Sequence, residues 1–325
     1  MTTVAVVFTG GTISMRPDPN AGGPVPTLDG AAIIARTPGL DEIAQVEAID
    51  WGLVPASHLT FAQLLDIART VRDVLARDEI GGAVVVQGTD NIEETAFALD
   101  LLLDTPKPVV FTGAMRSADD DGYDGPANLR DAVRCAAAPE MRGQGVLVAL
   151  AGLVLPADDA TKTHTDSYAA FQALNLGPLA QVDGGVTAIR RRHRRRLLPR
   201  IPDAAAEPVV LLTAVLGMDG TLVRLSRGSG ARGLVIAATG VGNTQPSLLE
   251  ACREQIAEGV PVVLTTRCPS GRARALYGFP GGGVSWERAG AIVAGYLGGP
   301  KARVALALGL GAGLDDAALR SLFAE

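Results

Sequence analysis

A hydroxyl and a carboxylate stand side by side at Thr89 and Asp90, where an apolar run ends and a helical pattern begins. The run covers residues 83–87, and Gly88 allows the chain to turn sharply after it. Open α/β folds bind their ligands at the carboxyl ends of parallel strands, so this turn is a natural place for a site. The spacing also predicts that Asp90 caps the following helix, with Glu93 completing a capping box.

A similar arrangement occurs near the start of the chain. The apolar run 4–8 leads through a glycine turn at Gly11 into Thr12. A threonine hydroxyl is a poor nucleophile at its own pKa and needs a general base. Lysine can be that base when desolvation or a neighbouring charge lowers its pKa. Lys162 is the candidate, because it lies in a polar Thr/His segment of a chain that otherwise uses arginine.

Four motifs, in this order, resemble those of the bacterial-type L-asparaginases and glutaminase-asparaginases. They are TGGTIS from Thr9, QGTDNIEET from Gln87, FTGAMRSADDDGYDGPANLRDAV from Phe111 and DATKTHT from Asp159. The resemblance is strong to about residue 180 and thinner afterwards. It implies a cofactor-independent amidohydrolase that converts L-asparagine, or a closely related small carboxamide, to the acid and ammonia through an acyl-threonine intermediate.

The resemblance also implies roles for the catalytic residues. In that family the matched threonine, lysine and aspartate form one triad, which here would be Thr89, Lys162 and Asp90. The threonine matched by Thr12 is usually assigned as the attacking nucleophile, although each threonine has been argued for. The sequence alone does not bring Lys162 to Thr89, so this juxtaposition is an expectation taken from the family.

Substrate binding is expected from residues around these turns. Backbone N–H groups near Gly11 and Gly88 would stabilise the oxyanion. Ser57 and His58 match the family's Ser-Gln binding pair, with histidine in place of the amide, although an ordinary loop before a helix explains His58 equally well. Asn243 matches the asparagine that the C-terminal domain places in a neighbouring subunit's site.

Two features of the family are missing from this sequence. The family lid normally carries a tyrosine, but segment 16–28, which we interpret as a mobile loop able to close over the site, has none. The acid that normally binds the substrate α-amino group is absent from segment 278–283. Two alternatives therefore stay open: a protein that binds a small amino acid without turning it over, and an amidase for a different amide, imide or lactam.

The composition favours an α/β fold. The chain of 325 residues is 47% hydrophobic but only 4% aromatic, which suits buried parallel strands of Val, Ala and Leu. Strand-like runs at 4–8, 83–87, 108–112, 145–150, 209–212, 233–238 and 261–265 alternate with helical patterns at 61–76, 92–103, 127–138, 247–258 and 315–323. We predict a larger N-terminal parallel-sheet domain (1–190), a linker (191–207) and a smaller flavodoxin- or Rossmann-like domain (208–325).

Charge and cysteine usage exclude several other classes. The net charge of −6 gives no general attraction to nucleic acid. The basic run 190–196 is interpreted as a solvated hairpin or linker, with contact to an anionic partner or subunit as the alternative; it has no interleaved aromatic residues, which disfavours nucleic-acid binding. The 3 cysteines and 3 histidines are dispersed, so reduced structural thiols and no metal site are expected.

Localisation and assembly are further expectations. The N-terminus lacks the pattern of a secretory signal, and no apolar run approaches the roughly 20 residues of a membrane span. We therefore expect a cytoplasmic protein with no membrane partner. The family resemblance implies a homotetramer of tight dimers, in which one subunit's N-terminal domain and its neighbour's C-terminal domain share each active site.

Overall fold

The structure is a computed structural model that describes residues 2–192 and 195–324. The chain divides into two compact units, Met1–Leu197 and Leu198–Glu325. Both units consist of strands alternating with helices, so the predicted α/β class is confirmed. The parallel strands of each unit end at one edge of its sheet. Loops and helix starts follow at that edge, which is where ligands bind in α/β folds.

The first unit is built on twelve strands and four helices among its described residues. The strands are β1 (Thr3–Phe8), β2 (Met15–Asp18), β3 (Gly23–Pro26), β4 (Gln45–Asp50), β5 (Ile80–Val86), β6 (Val109–Thr112), β7 (Val146–Leu150), β8 (Leu153–Pro156), β9 (Ala160–Lys162), β10 (Phe171–Ala173), β11 (Ala180–Asp183) and β12 (Gly185–Ala188). The helices are α1 (Gly30–Ala35), α2 (Phe61–Leu75), α3 (Ile92–Leu102) and α4 (Gly125–Ala137).

Eight of these strands form one sheet in the order β12-β11-β8-β7-β6-β5-β1-β4. Five adjacent strands, β4, β1, β5, β6 and β7, run parallel to one another. The other three, β8, β11 and β12, pair antiparallel with their neighbours. The central strands β1 and β5 are nearly continuous runs of buried Val and Ala, as expected for strands covered on both faces. Because β1, β5 and β6 are parallel neighbours, their carboxyl ends meet at one edge.

Helix α2 begins as the sequence predicts. The Thr60 hydroxyl accepts a hydrogen bond from the Gln63 N–H at 3.3 Å, and the Gln63 side chain accepts one from the Thr60 N–H at 3.0 Å. This reciprocal capping box satisfies two N–H groups that the first turn leaves without partners. Helix α2 packs against β5, and α4 shares a core cluster with β1 and β5. The helices thereby cover the strands that carry the threonine turns.

The interpretation of run 190–196 as solvated is wrong for its buried arginines. The side chain of Arg192 is 4% exposed and that of Asp100, on α3, is 1% exposed. The Arg192 guanidinium donates to the Asp100 carboxylate at 2.7 Å and pairs with Asp158 at 2.8 Å. Arg195 donates to the same Asp100 carboxylate at 3.1 Å. The basic run is therefore anchored in the first unit by buried carboxylates.

The physical reason for this error is tertiary. A run of arginines is normally solvated, because burying a guanidinium requires carboxylates at matched positions. Here Asp100 and Asp158 supply them from sequence positions that no local pattern connects to the run. Burial opposes the charged form of Arg192, but the two carboxylates outweigh it and raise its pKa above the ordinary value. His193 and Arg194, which belong to the same prediction, lie outside the described residues.

The second unit is a smaller parallel-sheet domain. Its strands β13 (Val209–Thr213), β14 (Gly233–Ala238), β15 (Val262–Thr266) and β16 (Ile292–Val293) pair in that order and all run parallel. Its helices are α5 (Thr221–Gly228), α6 (Pro246–Ala257), α7 (Gly283–Arg288), α8 (Gly299–Gly311) and α9 (Asp316–Phe323). A core that includes Leu234, Ile236 and the fully buried Trp286 holds it together. None of the described helices is long and apolar enough to span a membrane.

Candidate active site

The turns that follow β1 and β5 lie directly against each other. A Cβ atom built on Gly11 would lie 2.2 Å from both the N and the Cα of Gly88. Gly11 also has a φ of 96°, a conformation that residues with side chains rarely adopt. The hydrogen bonds between β1 and β5 continue past the strand ends, which fixes the two turns relative to one another. Thr12 and Thr89, the next residues in each turn, therefore start from backbones in contact.

The turn that carries Thr12 is tightly closed. Residues Thr12–Ser14 form one 3-10 turn. The Ser14 N–H and hydroxyl both donate to the Gly11 carbonyl, at 2.9 and 2.7 Å. Thr12 is half-buried, and no hydrogen bond among the described residues uses its hydroxyl. The structure thus holds the Thr12 backbone firmly and leaves its side-chain oxygen uncommitted.

Lys162 joins the second threonine to the neighbouring carboxylate. It lies at the end of β9, in a hairpin in which it pairs with Phe171 of β10. Its Nζ donates to the Thr89 hydroxyl at 2.9 Å and to the Asp90 carboxylate at 2.7 Å. Thr89 is 5% exposed, whereas the Asp90 side chain is 66% exposed. The structure thus brings together the three residues that the sequence could only associate by resemblance.

The predicted capping box at Asp90 and Glu93 is wrong. Helix α3 begins at Ile92 with Asn91 as its N-cap, and no side chain caps it. The Asp90 carboxylate instead contacts the Lys162 amine, and the Glu93 carboxylate accepts a hydrogen bond from the Lys162 backbone N–H at 2.9 Å. Both carboxylates accept hydrogen bonds from one lysine, which comes from a distant part of the sequence. Glu93 is consequently a contact of the Lys162 backbone, whereas sequence reasoning expected it to cap a helix.

The predicted binding pair lies at the same sheet edge. Ser57 and His58 are exposed in the 3-10 turn Ala56–His58, which precedes α2. A Cβ atom on Gly88 would lie 3.0 Å from the Ala56 Cβ, so this turn packs against the backbone beside Thr89. The structure therefore brings Ser57 and His58 close to the threonine turns.

Asn243 belongs to the second unit. It follows β14 in a tight loop, in which the Thr239 N–H and hydroxyl donate to the Asn243 carbonyl at 3.0 and 2.8 Å. The next residue, Thr244, donates its N–H to the carbonyl of Gly281 at 2.9 Å. Asn243 thus adjoins the glycine-rich segment 278–283, in which the family's acid is missing.

Segment 16–28, which the sequence analysis interpreted as a mobile loop, contains a β-hairpin. Strands β2 and β3 pair antiparallel, with Arg16 opposite Val25. The Arg16 guanidinium donates to the Asp119 carboxylate at 2.8 Å. Pro and Gly concealed this hairpin, because both residues are typical of turns and are disfavoured in strands. The hairpin starts directly after the Thr12 turn, and its closure over the site stays a prediction.

A loop covering residues 115–124, here named the bridging loop, spans the space between the hairpin of Lys162 and the turn of Thr12. The Asp124 carboxylate closes it by accepting hydrogen bonds from the N–H groups of Met115 and Arg116 at 3.0 Å. On the lysine side, the Arg116 guanidinium donates to the Asp166 carbonyl at 2.9 Å. Tyr168 donates its hydroxyl to the Gly122 carbonyl at 2.9 Å. Sequence reasoning missed these contacts, because they join loops rather than periodic elements.

Taken together, the first unit presents two threonine hydroxyls, an amine and carboxylates at the carboxyl edge of a parallel sheet. The described residues contain no group of three or more His, Cys, Asp or Glu side chains arranged to hold a metal ion. The chemical groups are those of nucleophilic acyl transfer, in which a hydroxyl attacks a carbonyl carbon and a nearby base handles its proton. An α/β fold that presents these groups at one sheet edge is suited to hydrolysis by acyl transfer.

Comparison with known proteins assigns the family. The model of the asparaginase N-terminal domain matches residues 3–195, and that of the glutaminase/asparaginase C-terminal domain matches residues 208–323. A probable L-asparaginase from Deinococcus radiodurans is 37% identical over 99% of this chain and 97% of its own length. An L-asparaginase from Bacillus licheniformis is 28% identical over 94% of each chain. The chain belongs to the asparaginase family and is a hydrolase that acts on amides.

A solved structure supports the same conclusion for the fold. The crystal structure of a probable cytoplasmic L-asparaginase from Campylobacter jejuni matches this structure with a TM-score of 0.86 and 27% sequence identity, over 99% of both chains. The predicted combination of a larger and a smaller parallel-sheet domain is therefore that of a known asparaginase. The family resemblance that the four motifs carry is confirmed.

Proposed function

We propose that this protein hydrolyses the side-chain amide of L-asparagine, or of a closely related small carboxamide, and releases ammonia. The observation that carries the proposal is the pair of contacts from the Lys162 amine to the Thr89 hydroxyl, at 2.9 Å, and to the Asp90 carboxylate, at 2.7 Å. The names of the relatives from Deinococcus radiodurans and Bacillus licheniformis favour asparagine over other amides.

The reaction would proceed in two acyl-transfer steps. A threonine hydroxyl attacks the amide carbon and forms an ester, and the amide nitrogen leaves with an added proton as ammonia. Water then hydrolyses the ester, which releases the acid and restores the hydroxyl. Lys162 lies where an amine in its neutral form would accept a proton from Thr89, and Asp90 is placed to stabilise the ammonium that would result.

Thr12 and Thr89 are both candidates for the attacking residue. Thr12 is favoured because it is half-buried with an uncommitted hydroxyl, and because the family resemblance assigns the attack to this position. Thr89 is 5% exposed and its hydroxyl is bonded to Lys162, which suits proton transfer better than attack. We therefore assign the nucleophile to Thr12 and the proton relay to Thr89, Lys162 and Asp90.

The remaining groups would bind the substrate. Backbone N–H groups in the turns at Gly11 and Gly88 would stabilise the oxyanion, because glycine lets a backbone approach a ligand closely. Ser57 and His58 are exposed on the adjoining turn and would contact the substrate carboxylate. The Asp90 carboxylate, largely exposed, would attract the substrate ammonium.

We also propose a cytoplasmic homo-oligomer, a dimer of dimers, in which a neighbour's Asn243 completes each site. Asn243 lies close to segment 278–283 in the second unit. This supports the proposal, because both would then reach the neighbouring subunit's site from one loop region. Sedimentation velocity combined with activity at increasing dilution tests the assembly. An oligomer that loses activity as it dissociates is expected, and a fully active monomer would reject the shared site.

The function is tested by measuring ammonia release from L-asparagine, L-glutamine, D-asparagine and related small carboxamides. Turnover of L-asparagine, or of a close analogue, is expected. Calorimetry with L-asparagine and L-aspartate, on the same preparation, distinguishes the alternative of a binding protein. Saturable binding without product would favour the binding protein, and a folded protein inactive on the whole panel would contradict the enzymatic proposal.

A further inference from the structure

We propose that Tyr123 is a positioning residue that holds the Thr12 turn in its reactive geometry; the proposal rests on the assignment of Thr12 as nucleophile. The Tyr123 hydroxyl donates a hydrogen bond to the backbone carbonyl of Ile13 at 2.8 Å. Ile13 directly follows Thr12 in the 3-10 turn. The bond therefore acts on the Ile13–Ser14 peptide group, one residue beyond the nucleophile, from a residue more than a hundred positions away in the chain.

The Ile13 carbonyl depends on this donor. Ile13 is 0% exposed, so water does not reach its backbone. Among the described residues, no other hydrogen bond to this carbonyl is formed besides that of Tyr123. A buried carbonyl that loses its partner is costly, because the lost bond is not replaced by one to solvent. Without the hydroxyl, the turn is expected to rotate until the carbonyl finds another donor, and Thr12 would move with it.

The tyrosine itself is held on a rigid base. A Cβ atom on Gly125 would lie 2.4 Å from the ring carbon that bears the Tyr123 hydroxyl, so the hydroxyl end of the ring lies against the start of α4. The Tyr123 N–H donates to the Asp120 carbonyl at 3.2 Å. Asp124, the next residue, closes the bridging loop through the Met115 and Arg116 N–H groups. The hydroxyl is thus presented from a fixed ring and backbone, as positioning of a nucleophile requires.

The donor persists over a wide pH range. Desolvation is the main cause that raises the pKa of Tyr123 to about 12; Asp124 also raises it, and Arg36 opposes the shift. The phenol therefore stays protonated, and able to donate, at pH values where an exposed tyrosine ionises near its ordinary pKa of about 10. Ionisation would replace the hydrogen bond with repulsion between a phenolate and the carbonyl oxygen.

The first experiment compares Tyr123→Phe with Tyr168→Phe. Each change removes one hydroxyl that bonds to a carbonyl, but the carbonyl of Gly122, which Tyr168 binds, belongs to an exposed residue and can bond to water instead. For Tyr123→Phe we expect kcat on L-asparagine to fall about 10- to 100-fold with KM changed less than about threefold, because a misplaced nucleophile slows attack more than binding. Tyr168→Phe should keep both constants within about threefold.

A second measurement reads the turn without any substrate. Amide hydrogen exchange across residues 11–15 should be faster in Tyr123→Phe than in the wild type, and unchanged in Tyr168→Phe. Unchanged exchange and unchanged kcat in Tyr123→Phe would overturn the proposal. A wild type that hydrolyses no amide would defeat the proposed function instead, and the exchange data would still decide whether Tyr123 fixes the turn.

Should Tyr123→Phe fail to fold, a ring-fluorinated tyrosine at position 123 keeps the shape of the side chain and makes its phenol more acidic. The alkaline loss of kcat should then move to lower pH than in the wild type, because the fluorinated phenol stops donating earlier. The proposal would be overturned by an alkaline limb that stays where the wild type has it while the phenol titrates in its new range.

Discussion

Gly11 and Gly88 touch through their backbones, so closely that a Cβ atom on Gly11 would lie 2.2 Å from the Cα of Gly88. This contact explains why two threonine turns from distant parts of the sequence share one site. β1 and β5 are neighbours in the sheet, and a glycine in each turn lets the chains converge where the strands end. A side chain at Gly11 would force these two backbones apart.

Replacing Gly11 with alanine should therefore remove activity. The methyl group would clash with the Gly88 backbone, and the alanine would also have to adopt a φ of 96°. We expect kcat on L-asparagine to fall by about 10²-fold or more, since small displacements of reacting groups have effects of this size. Gly185→Ala is the control, because a Cβ atom there meets nothing within 4 Å. Equal activity of the two variants would show that the glycine contact does not govern the site.

Replacing Asp100 with asparagine should destabilise the first unit without acting on the chemistry directly. The change leaves the buried Arg192 guanidinium with one carboxylate fewer, and breaking a buried ion pair costs about 3–5 kcal/mol. Urea unfolding followed by a probe in the first unit measures the loss. Asp203→Asn is the matched control: it removes a fully exposed partner of Arg200 and should change stability by less than about 0.5 kcal/mol.

The cysteines should differ in reactivity. Burial raises the pKa of the Cys135 thiol, first by desolvation and then by repulsion from Asp131, to about 12, and desolvation raises that of Cys252 to about 12. Both thiolates are scarce near neutral pH, whereas Cys268 is exposed. A thiol reagent should label one cysteine quickly in the native protein and all 3 after denaturation. Fast labelling that survives Cys268→Ser would contradict the buried positions of the other two.

The missing acid in segment 278–283 predicts weak selection for the substrate α-amino group. A charged hydrogen bond contributes about 1.5–3 kcal/mol, so its absence should lower the preference for ammonium-bearing substrates. We expect kcat/KM for L-asparagine to exceed that for succinamic acid, which lacks the amino group, by less than about tenfold. A preference of several hundredfold would mean that Asp90, or a carboxylate from elsewhere, binds the ammonium fully.

Much of the fold followed from apolar pattern alone. The run at 83–87 predicted β5, and the pattern at 61–76 together with Thr60 and Gln63 predicted α2 and its cap. Short strands such as β9 and β10 were missed, because three-residue strands carry no period and exist only through their pairing. Helix α8 was missed because it is buried almost all round and shows no apolar stripe.

The site was predictable in its chemistry but not in its contacts. Turn glycines and strand ends identified Thr12, Thr89 and Asp90 as candidates, since a parallel sheet collects such turns at one edge. The approach of Lys162 required the path of the antiparallel hairpin that carries it, which spacing does not encode. Glu93 shows the same limit. Its spacing predicted a helix cap, but its carboxylate accepts a hydrogen bond from the Lys162 N–H instead.

The most direct test of the account is kcat on L-asparagine for Lys162→Met beside the wild type and Lys107→Met. Lys107 is a matched lysine whose amine donates to the carbonyls of Leu75 and Arg77, at 2.8 Å each, away from the threonine turns. Loss of a general base lowers rates by about 10²- to 10⁴-fold, and we expect Lys162→Met to fall in this range while Lys107→Met stays near the wild type. A Lys162→Met enzyme within threefold of the wild type would contradict the proposed relay of Thr89, Lys162 and Asp90.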